Sequence, residues 1–365
     1  MMPLQSQIHL TILDIPRAQW DSIWPALTEG YDFYQAQQEA GLEGFEFVYL
    51  TVHAADTLVL VAPLFLAHFD MGLAMDDGGR KWLSKVQRFW PRCLVLKSLF
   101  CGSPVSEKGL VGLHADYLGD ARLMRVFNDA LCALARQCGA WMVVFKDFMD
   151  PDLQALAPLR SLAWFPVDSL PTASLAINFA TMDEYLGQLG YGTRKDLRRK
   201  LRKTEKAGGL EIEAVTDISH CIDQAYRLYR QVRDANALHF ETLTRPLFLN
   251  FSRCMPAQTV FFLYWLPAAD GTERRLVGFN FCLQHEDRLV DKYIGMDYAV
   301  SRDLNLYFVS YLYNVQWCLD HGKTLYMLSQ GGYPVKIQLG AQLIPLRTLT
   351  RMRHPLLNWI ANRFA

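Results

Sequence analysis

Short apolar runs separated by polar turns recur along the whole chain, and their spacing predicts its elements. In the first half, alternating or continuous apolar positions predict strands over residues 8–13, 45–52, 57–68, 93–100 and 141–145. Apolar residues three or four apart predict helices over 18–27, 33–40 and 118–138. The stretch 71–81 is polar and rich in Gly and Asp, which is typical of a loop.

The second half repeats this plan with longer elements. Helical spacing covers 193–207, 218–234, 245–254 and 303–321, and apolar runs predict strands over 210–215, 259–266, 274–285, 288–296, 324–328 and 342–349. Strands outnumber helices and the two are interleaved, so the pattern predicts the α+β class (α/β with mixed sheets). Pro171, together with the change from apolar runs to a charged helix, indicates a junction between a domain over 1–170 and one over 171–365.

The composition fits two globular domains with substantial cores. The chain has 365 residues, 51% of them apolar and 20% charged, and this length exceeds that of one typical domain. No apolar run is long enough to span a bilayer, and the N-terminus lacks the charged start and apolar core of a signal peptide. The formal net charge is zero, so we expect no DNA binding, and any affinity for an anion has to come from a local patch.

The eight cysteines form no C-x-x-C pair, and most lie in apolar surroundings. They are typical of small buried hydrophobic residues in a reducing compartment, so we expect a cytoplasmic protein. The sequence predicts no metal site and no catalytic thiol.

The segment 329–340, Ser-Gln-Gly-Gly-Tyr-Pro-Val-Lys-Ile-Gln-Leu-Gly, carries one charge, Lys336, directly after a glycine turn at a strand end. The paired glycines allow a sharp turn, and Tyr333-Pro334 can start a helix. The Lys336 ammonium could stabilise an oxyanion or neutralise a donor phosphate, and desolvation could lower its pKa so that it acts as a base. The alternative is a surface lysine on a short helix. Tyr333 and Gln330 would be its nearest polar neighbours.

The helix predicted over 193–207 is strongly basic. Residues 194–206 hold eight cations and only two acids, Asp196 and Glu205. Such a density favours an anionic partner, such as tRNA phosphates, a CoA phosphate, a nucleotide-sugar diphosphate or lipid headgroups, with Arg194, Lys195 and Arg198 as candidate contacts. The alternative is a solvated charged face.

Other candidate groups lie near strand ends or in the tail. His239 and Glu241 could serve as the general base that deprotonates an attacking amine. Ser103 and Lys146 are candidates for an acceptor site. The tail, residues 348–365, mixes large apolar residues with Arg351, Arg353 and Arg363, and Arg347 directly precedes it. It could make peripheral contact with a membrane or pack against the protein itself.

The order of elements resembles two tandem GNAT acyltransferase domains, and three segments resemble the Fem-type (FemABX-like) family. These segments are 193–200 (TRKDLRRK), 239–244 (HFETLT) and 333–340 (YPVKIQLG). The family includes aminoacyl-tRNA-dependent peptidoglycan transferases and related acetyltransferases linked to bacterial polysaccharide synthesis. The last two segments, with 353–356 (RHPL), are most similar to the acetyltransferase branch.

The resemblance implies an N-acyltransferase that moves an acyl group from acyl-CoA to an amine on a small molecule, peptide or sugar. It implies direct attack without a covalent enzyme intermediate, and the sequence contains no G-x-S-x-G motif. The implied catalytic residues are Lys336, Tyr333, Glu241 and His239. Two alternatives stay open: an aminoacyl-tRNA-dependent Fem-type transferase, and a non-catalytic GNAT-fold protein that binds an anionic partner.

In GNAT enzymes the loop before the long helix holds the CoA diphosphate on its N–H groups. The matching loop here is 297–306. The resemblance implies Ser301 as the helix N-cap and Arg302 as the cation, with Leu304, Asn305 and Gln330 as further contacts to the donor. The glycines of the family pattern are absent from this loop, and Asp303 adds a negative charge.

Overall fold

The structure is a computed structural model that describes residues 3–25, 27–75, 77–206, 208–235, 240–268 and 273–364. It divides into two compact units. The first unit comprises Met1–Leu170, Phe240–Thr242 and Pro345–Ala365, and the second comprises Pro171–His239 and Leu243–Ile344.

The elements alternate between strands and helices along the chain. The strands are β1 (Leu4–His9), β2 (Glu46–Ala54), β3 (Thr57–Asp70), β4 (Val95–Cys101), β5 (Gly112–Leu113), β6 (Met142–Phe148), β7 (Phe165–Ala176), β8 (Glu211–Val215), β9 (Thr259–Leu266), β10 (Arg275–Gln284), β11 (Arg288–Met296), β12 (Leu325–Met327) and β13 (Gln342–Met352). The α-helices are α1 (Arg17–Ile23), α2 (Tyr31–Gln38), α3 (Asp77–Gln87), α4 (Ala121–Gln137), α5 (Asp150–Ala155), α6 (Met182–Gln188), α7 (Tyr191–Lys206), α8 (Ile222–Ala235), α9 (Arg245–Cys254), α10 (Leu306–Asp320), α11 (Tyr333–Gln338) and α12 (Pro355–Phe364).

In the first unit a mixed sheet has the order β1-β2-β3-β4-β6-β13, with β5 paired to β3. The neighbours are antiparallel except β4 and β6, which run parallel and are connected through α4. Helix α4 is capped by the Asp120 carboxylate and buries an apolar face that includes Phe127 and Leu131. This face forms the main core of the unit with the sheet.

The second unit uses the same connection. Its strand order is β7-β12-β11-β10-β9-β8, and the one parallel pair in this order, β11 and β12, is joined through α10. A parallel pair needs such a crossover. Between β10 and β11 the pairing steps from Phe281–Tyr293 to Cys282–Asp291, so Lys292 is an extra residue in β11. A bulge of this kind changes the direction of neighbouring side chains.

The structure corrects several sequence predictions. The loop predicted over 71–81 contains a 3-10 helix, Met71–Ala74, and the start of α3. The periodicity of α3 was obscured because Leu83 is its one buried residue among 78–87 and two glycines, Gly78 and Gly79, lie in its first turn. Residues 345–365, predicted in the second domain, belong to the first unit, since β13 pairs with β6. None of the helices in the described part of the chain has the length and apolar character that a membrane crossing requires.

Candidate functional site

Lys336 lies in α11, directly after the glycine turn. Gly331 and Gly332 have φ values of 81° and 62°, a left-handed backbone that glycine adopts without strain. The residue is only 7% exposed. Its Nζ donates hydrogen bonds to the carbonyl oxygens of Leu328, of Ser329 at 3.1 Å and of Gln330 at 3.3 Å. The ammonium therefore holds the chain that follows β12 and uses all three of its protons there.

Burial lowers the pKa of Lys336 to about 8, and the nearby Asp291 carboxylate partly opposes this shift. The cause is desolvation, which penalises the charged form of an amine. An amine with this pKa is mostly protonated at neutral pH and still gives up a proton easily. Lys336 can therefore act as either an acid or a base close to neutrality.

Asp291 is the second titratable group at this place, and sequence reasoning missed it. Its carboxylate accepts hydrogen bonds from Asn280 Nδ2 at 3.0 and 3.1 Å, from Asn314 Nδ2 at 3.2 Å and from the Tyr326 hydroxyl at 2.9 Å. Burial raises the pKa of Asp291, while these donors and the Lys336 charge act in the opposite direction. The three donors come from three different elements, β10, α10 and β12, and the Lys336 charge comes from α11, so no local sequence pattern indicates the group.

A cleft of about 140 Å³ opens beside these two residues. Predicted residues Lys336 and Gln330 line it, together with Asp291, Lys292, Tyr293, Tyr307, Ser310, Tyr311 and Tyr326, among others. Beside the cleft, the Oδ1 atoms of Asn280 and Asn314 are buried and have no hydrogen-bond partner among the described residues. Buried acceptors of this kind are normally satisfied by water or a ligand. Tyr333 does not line the cleft; its hydroxyl donates to the Pro171 carbonyl at 2.8 Å and so fixes the start of α11.

The loop predicted to hold a CoA diphosphate is folded on itself. The backbone N–H groups of Ser301, Leu304, Asn305 and Leu306 donate to carbonyls at Asp297, Val300, Arg302 and Ser301. Ser301 is not the N-cap of α10, because the helix begins at Leu306 and Asn305, at φ 48°, occupies the cap position. The Leu304 side chain lies in the core, whereas Arg302 is exposed. Of the four predicted residues, Arg302 is therefore the one best placed to meet an anion.

The basic helix α7 is partly neutralised by its neighbours. Lys203 pairs with Asp303 at 3.0 Å, and Lys200 pairs with Asp196 at 2.7 Å and lies over the Phe308 ring. Arg198 is 3.9 Å from Asp183, and Arg194 donates to the Gly187 carbonyl at 3.3 Å. Lys195 is exposed. The helix thus offers exposed cations, while one edge of it packs against the loop before α10 through Thr204, whose hydroxyl donates to the Leu304 carbonyl.

The remaining predicted residues belong to the first unit or lie outside the described residues. Lys146 forms an ion pair with its neighbour Asp147. Burial lowers the pKa of Lys146, but the carboxylates of Asp147, Glu241 and Glu29 raise it above its ordinary value overall. Ser103 is buried, hydrogen-bonds Gln37 and accepts from the Val105 N–H. Glu241 acts electrostatically on Lys146 within this unit, and His239 lies outside the described residues.

Each unit thus contains a parallel strand pair joined through a helix, and in the second unit a polar cleft lies beside that pair. The family model for peptidoglycan biosynthesis and recognition proteins, the FemAB-like family, matches residues 11–364. The chain therefore belongs to the FemAB-like family. The predicted Fem-type resemblance and the predicted fold class are confirmed, and membership supports the prediction that the chain is an acyltransferase.

Solved structures show the same fold at low sequence identity. FemX is 12% identical in sequence and superposes with a TM-score of 0.59, and the match covers 98% of this chain and 99% of the FemX chain. A tandem GNAT protein from the clavulanic acid biosynthesis pathway shares 12% identity with a TM-score of 0.53, covering 97% and 99%. At these identities the likeness establishes the architecture alone.

Curated relatives come from Mycobacterium tuberculosis, strains CDC 1551 and H37Rv, where the protein is named 8-amino-7-oxononanoate synthase 2. The identity is 24% over 336 residues, which is 89% of this chain but 42% of the relative. The chain thus spans less than half the length of the curated relatives it matches.

Proposed function

We propose that this protein is an N-acyltransferase that transfers an acyl group from acyl-CoA to an amine by direct attack in the Lys336 cleft. One observation carries the proposal: a buried amine with a pKa lowered to about 8 lies in one cleft with a carboxyl group whose pKa is raised. A lysine with this pKa exchanges protons close to neutral pH, which amine acylation requires, and the raised pKa makes the neighbouring carboxyl a stronger base than an ordinary aspartate.

The reaction moves two protons. The acceptor amine arrives largely as an ammonium and loses one proton before its nitrogen attacks the thioester carbon. The same nitrogen loses a second proton as the C–N bond forms and the C–S bond breaks. One proton leaves to a base, and the other goes to the departing thiolate. Asp291 or the neutral form of Lys336 suits the first role, and the Lys336 ammonium suits the second. Tyr333 supports this arrangement by fixing the start of α11 at the Pro171 carbonyl.

Aminoacyl-tRNA is the second candidate donor, and a specific observation favours it. The N–H groups of the loop before α10 are used within the loop, which leaves fewer of them for a diphosphate. Exposed cations of α7, such as Lys195, suit a larger phosphate backbone. Both donors carry an activated carbonyl and would use the same acid–base pair.

The mycobacterial relatives suggest a class of acceptor. The name 8-amino-7-oxononanoate describes a primary amine next to a ketone on a fatty-acid chain, and this chain matches only 42% of those proteins. We therefore include an α-amino ketone among the acceptors, beside an amino sugar and a peptide amine. A cytoplasmic setting is part of the proposal and is supported by the cysteines, all eight of which are unpaired.

The test begins with binding and ends with turnover. Thermal unfolding is measured with acetyl-CoA, a long-chain acyl-CoA, free CoA and aminoacyl-tRNA, because a ligand that binds the native state raises the melting temperature. Release of free CoA thiol is then followed with each acceptor. Stabilisation by an acyl-CoA and acceptor-dependent thiol release support the proposal. Stabilisation by aminoacyl-tRNA alone moves the assignment to the second donor, and a protein that responds to neither is not an acyltransferase of this type.

A further inference from the structure

The segment between β3 and β4 exposes large aromatic side chains among cations. Phe89 is 90% exposed and Trp90 is 68% exposed, and Trp82 on α3 is also exposed. Residues 78–97 contain six lysines and arginines and no acid. Four of these cations, Lys81, Lys85, Arg88 and Arg92, are exposed. This local charge stands out in a chain whose formal net charge is zero.

Helix α12 shows a second exposed apolar surface. Among the side chains described for Pro355–Arg363, the buried one is polar: Asn358 accepts a hydrogen bond from the Met352 N–H at 2.7 Å and donates to the Ala163 carbonyl at 3.0 Å. Large apolar side chains are exposed instead, and Trp359 is 62% exposed. Leu356, Leu357 and Ile360 are likewise exposed. Helix α12 thus contacts the unit through an asparagine and exposes apolar residues. Within the described residues, this apolar surface has no partner.

The sheet register places both surfaces at one end of the first unit. The pairs Asp70–Val95 and Ser98–Met142 bring together the end of β3 and the starts of β4 and β6. The pair Met352–Met142 adds the end of β13, which α12 follows. At the same end Trp141 is exposed, and the Arg353 guanidinium lies 5.2 Å from the centre of its ring. Three parts of the chain therefore lie at the same end of the sheet: segment 82–94, Trp141 and α12. We call them together the exposed aromatic end.

We propose that the exposed aromatic end docks on the surface of a bilayer that contains anionic lipid. Tryptophan and phenylalanine side chains enter the headgroup region, and neighbouring lysines and arginines are attracted to anionic headgroups. Residues 78–106 contain no acid, so the cations of this stretch outnumber the acids at this end, Asp70 and Asp77, and attraction to anionic headgroups prevails. A bilayer also accommodates side chains that protrude singly, as Phe89 does, whereas a protein partner would have to supply a matching pocket.

The experiment uses the full chain and vesicles of phosphatidylcholine with phosphatidylglycerol at about 2:1. Bound protein is measured by co-sedimentation, and a blue shift of tryptophan emission reports entry into the headgroup region. We expect wild-type protein to bind these vesicles, to bind pure phosphatidylcholine vesicles less, and to be released by added salt. The double variant Phe89→Ser/Trp90→Ser should bind about tenfold less or weaker still. Reversing two charges with Arg88→Glu/Arg92→Glu should also reduce binding to the anionic vesicles.

Leu118→Ser is the matched control, since Leu118 is 60% exposed in the same unit but lies by the start of β3, near the His114–Val59 backbone bond. It should bind like wild type, and unchanged melting temperatures show that every variant is folded. Wild-type protein that ignores anionic vesicles overturns the proposal, as does equal binding by the Phe89→Ser/Trp90→Ser variant. The proposal is also overturned if the wild-type protein is a dimer and the Phe89→Ser/Trp90→Ser variant is a monomer, because the surface then binds a second copy of the chain. Binding is measured without substrate, so the result does not depend on the proposed transfer reaction.

Discussion

Lys336 combines two properties that usually exclude each other. Its ammonium is fully hydrogen-bonded to the carbonyls that follow β12, which is how a structural lysine behaves. Its burial lowers the pKa to about 8, which is how a catalytic lysine behaves. Loss of one proton removes one of the three hydrogen bonds, so a change in protonation would also loosen the chain around Gln330 at the cleft.

Lys323 offers a matched control for Lys336, because its Nζ also donates to backbone carbonyls in the second unit, those of His285 and Glu286. Lys336→Met and Lys323→Met both leave carbonyls without their donor and should each cost about 1–3 kcal/mol of the free energy of unfolding. Turnover should fall at least about 100-fold in Lys336→Met alone, since that variant also lacks the proton donor. Equal turnover losses in the two variants would reduce Lys336 to a structural role.

The Asp291 carboxylate should set the pH range in which Lys336 works. If neutral Lys336 is the base, turnover rises as the pH increases through about 8. Asp291 raises the pKa of Lys336, so Asp291→Asn should lower that pKa and shift the midpoint of the pH profile to lower pH. The variant should also lose stability, because its amide N–H₂ replaces an oxygen that accepts from Asn280, Asn314 or Tyr326. The midpoint is measured from kcat against pH. An unshifted midpoint would show that the Asp291 charge does not control the protonation of Lys336.

These two residues also show how far the sequence predicts the candidate site. Lys336 could be found because it is the one charge in a glycine-turn segment, a local pattern. Asp291 could not be found, because what distinguishes it from other strand aspartates is its set of partners from β10, α10 and β12 and a bulge at Lys292. The Ser301 cap prediction is wrong for a related reason: the turn before α10 is longer than its polar residues indicate, and Asn305 takes the cap.

At the scale of elements, the apolar strands were the most predictable part of the chain. The predicted bounds of β9, β11 and α9 agree with the structure. Their signals, the apolar runs of the strands and the Thr244 cap of the helix, lie within or next to each segment. Helices α3, α5, α6 and α12 and strand β7 were not predicted. Helices α5 and α6 are short and α3 is largely polar, so their periodicity is weak, and their positions depend on contacts with the rest of their unit.

The turn between β12 and α11 depends on its glycine backbone. Gly332 is the N-cap of α11 at φ 62°, and a Cβ built there would meet nothing closer than 3.8 Å. Gly332→Ala should therefore cost about 1 kcal/mol from backbone strain alone, without a steric clash. Gly192 in α7 is equally uncrowded but has an ordinary helical backbone, so Gly192→Ala should stabilise the protein by up to about 1 kcal/mol. Chemical denaturation measures both, and effects of the same sign would contradict this account of the turn.

At the scale of the whole molecule, the first unit is assembled from three separate parts of the chain. Phe240 joins the aromatic cluster of Phe45 and Phe100, at ring-centre distances of 5.4 Å to each. Strand β13 pairs with β6, and Leu349 is buried in the main core of the unit. Composition and periodicity place a domain junction near Pro171, but they contain no information on which later segments return to complete the first unit.

A fragment of residues 1–170 should therefore fail to fold as the intact first unit does. It lacks Phe240 and the strand that covers β6, so β6 would become an exposed, apolar sheet edge prone to aggregation. We expect no cooperative thermal transition for this fragment by near-ultraviolet circular dichroism. Joining residues 345–365 to it through a flexible Gly/Ser linker should restore a transition, because the linker costs little closure entropy compared with the core that Leu349 completes. A cooperative transition in the fragment alone would show that the returning segments are dispensable for the core of the first unit.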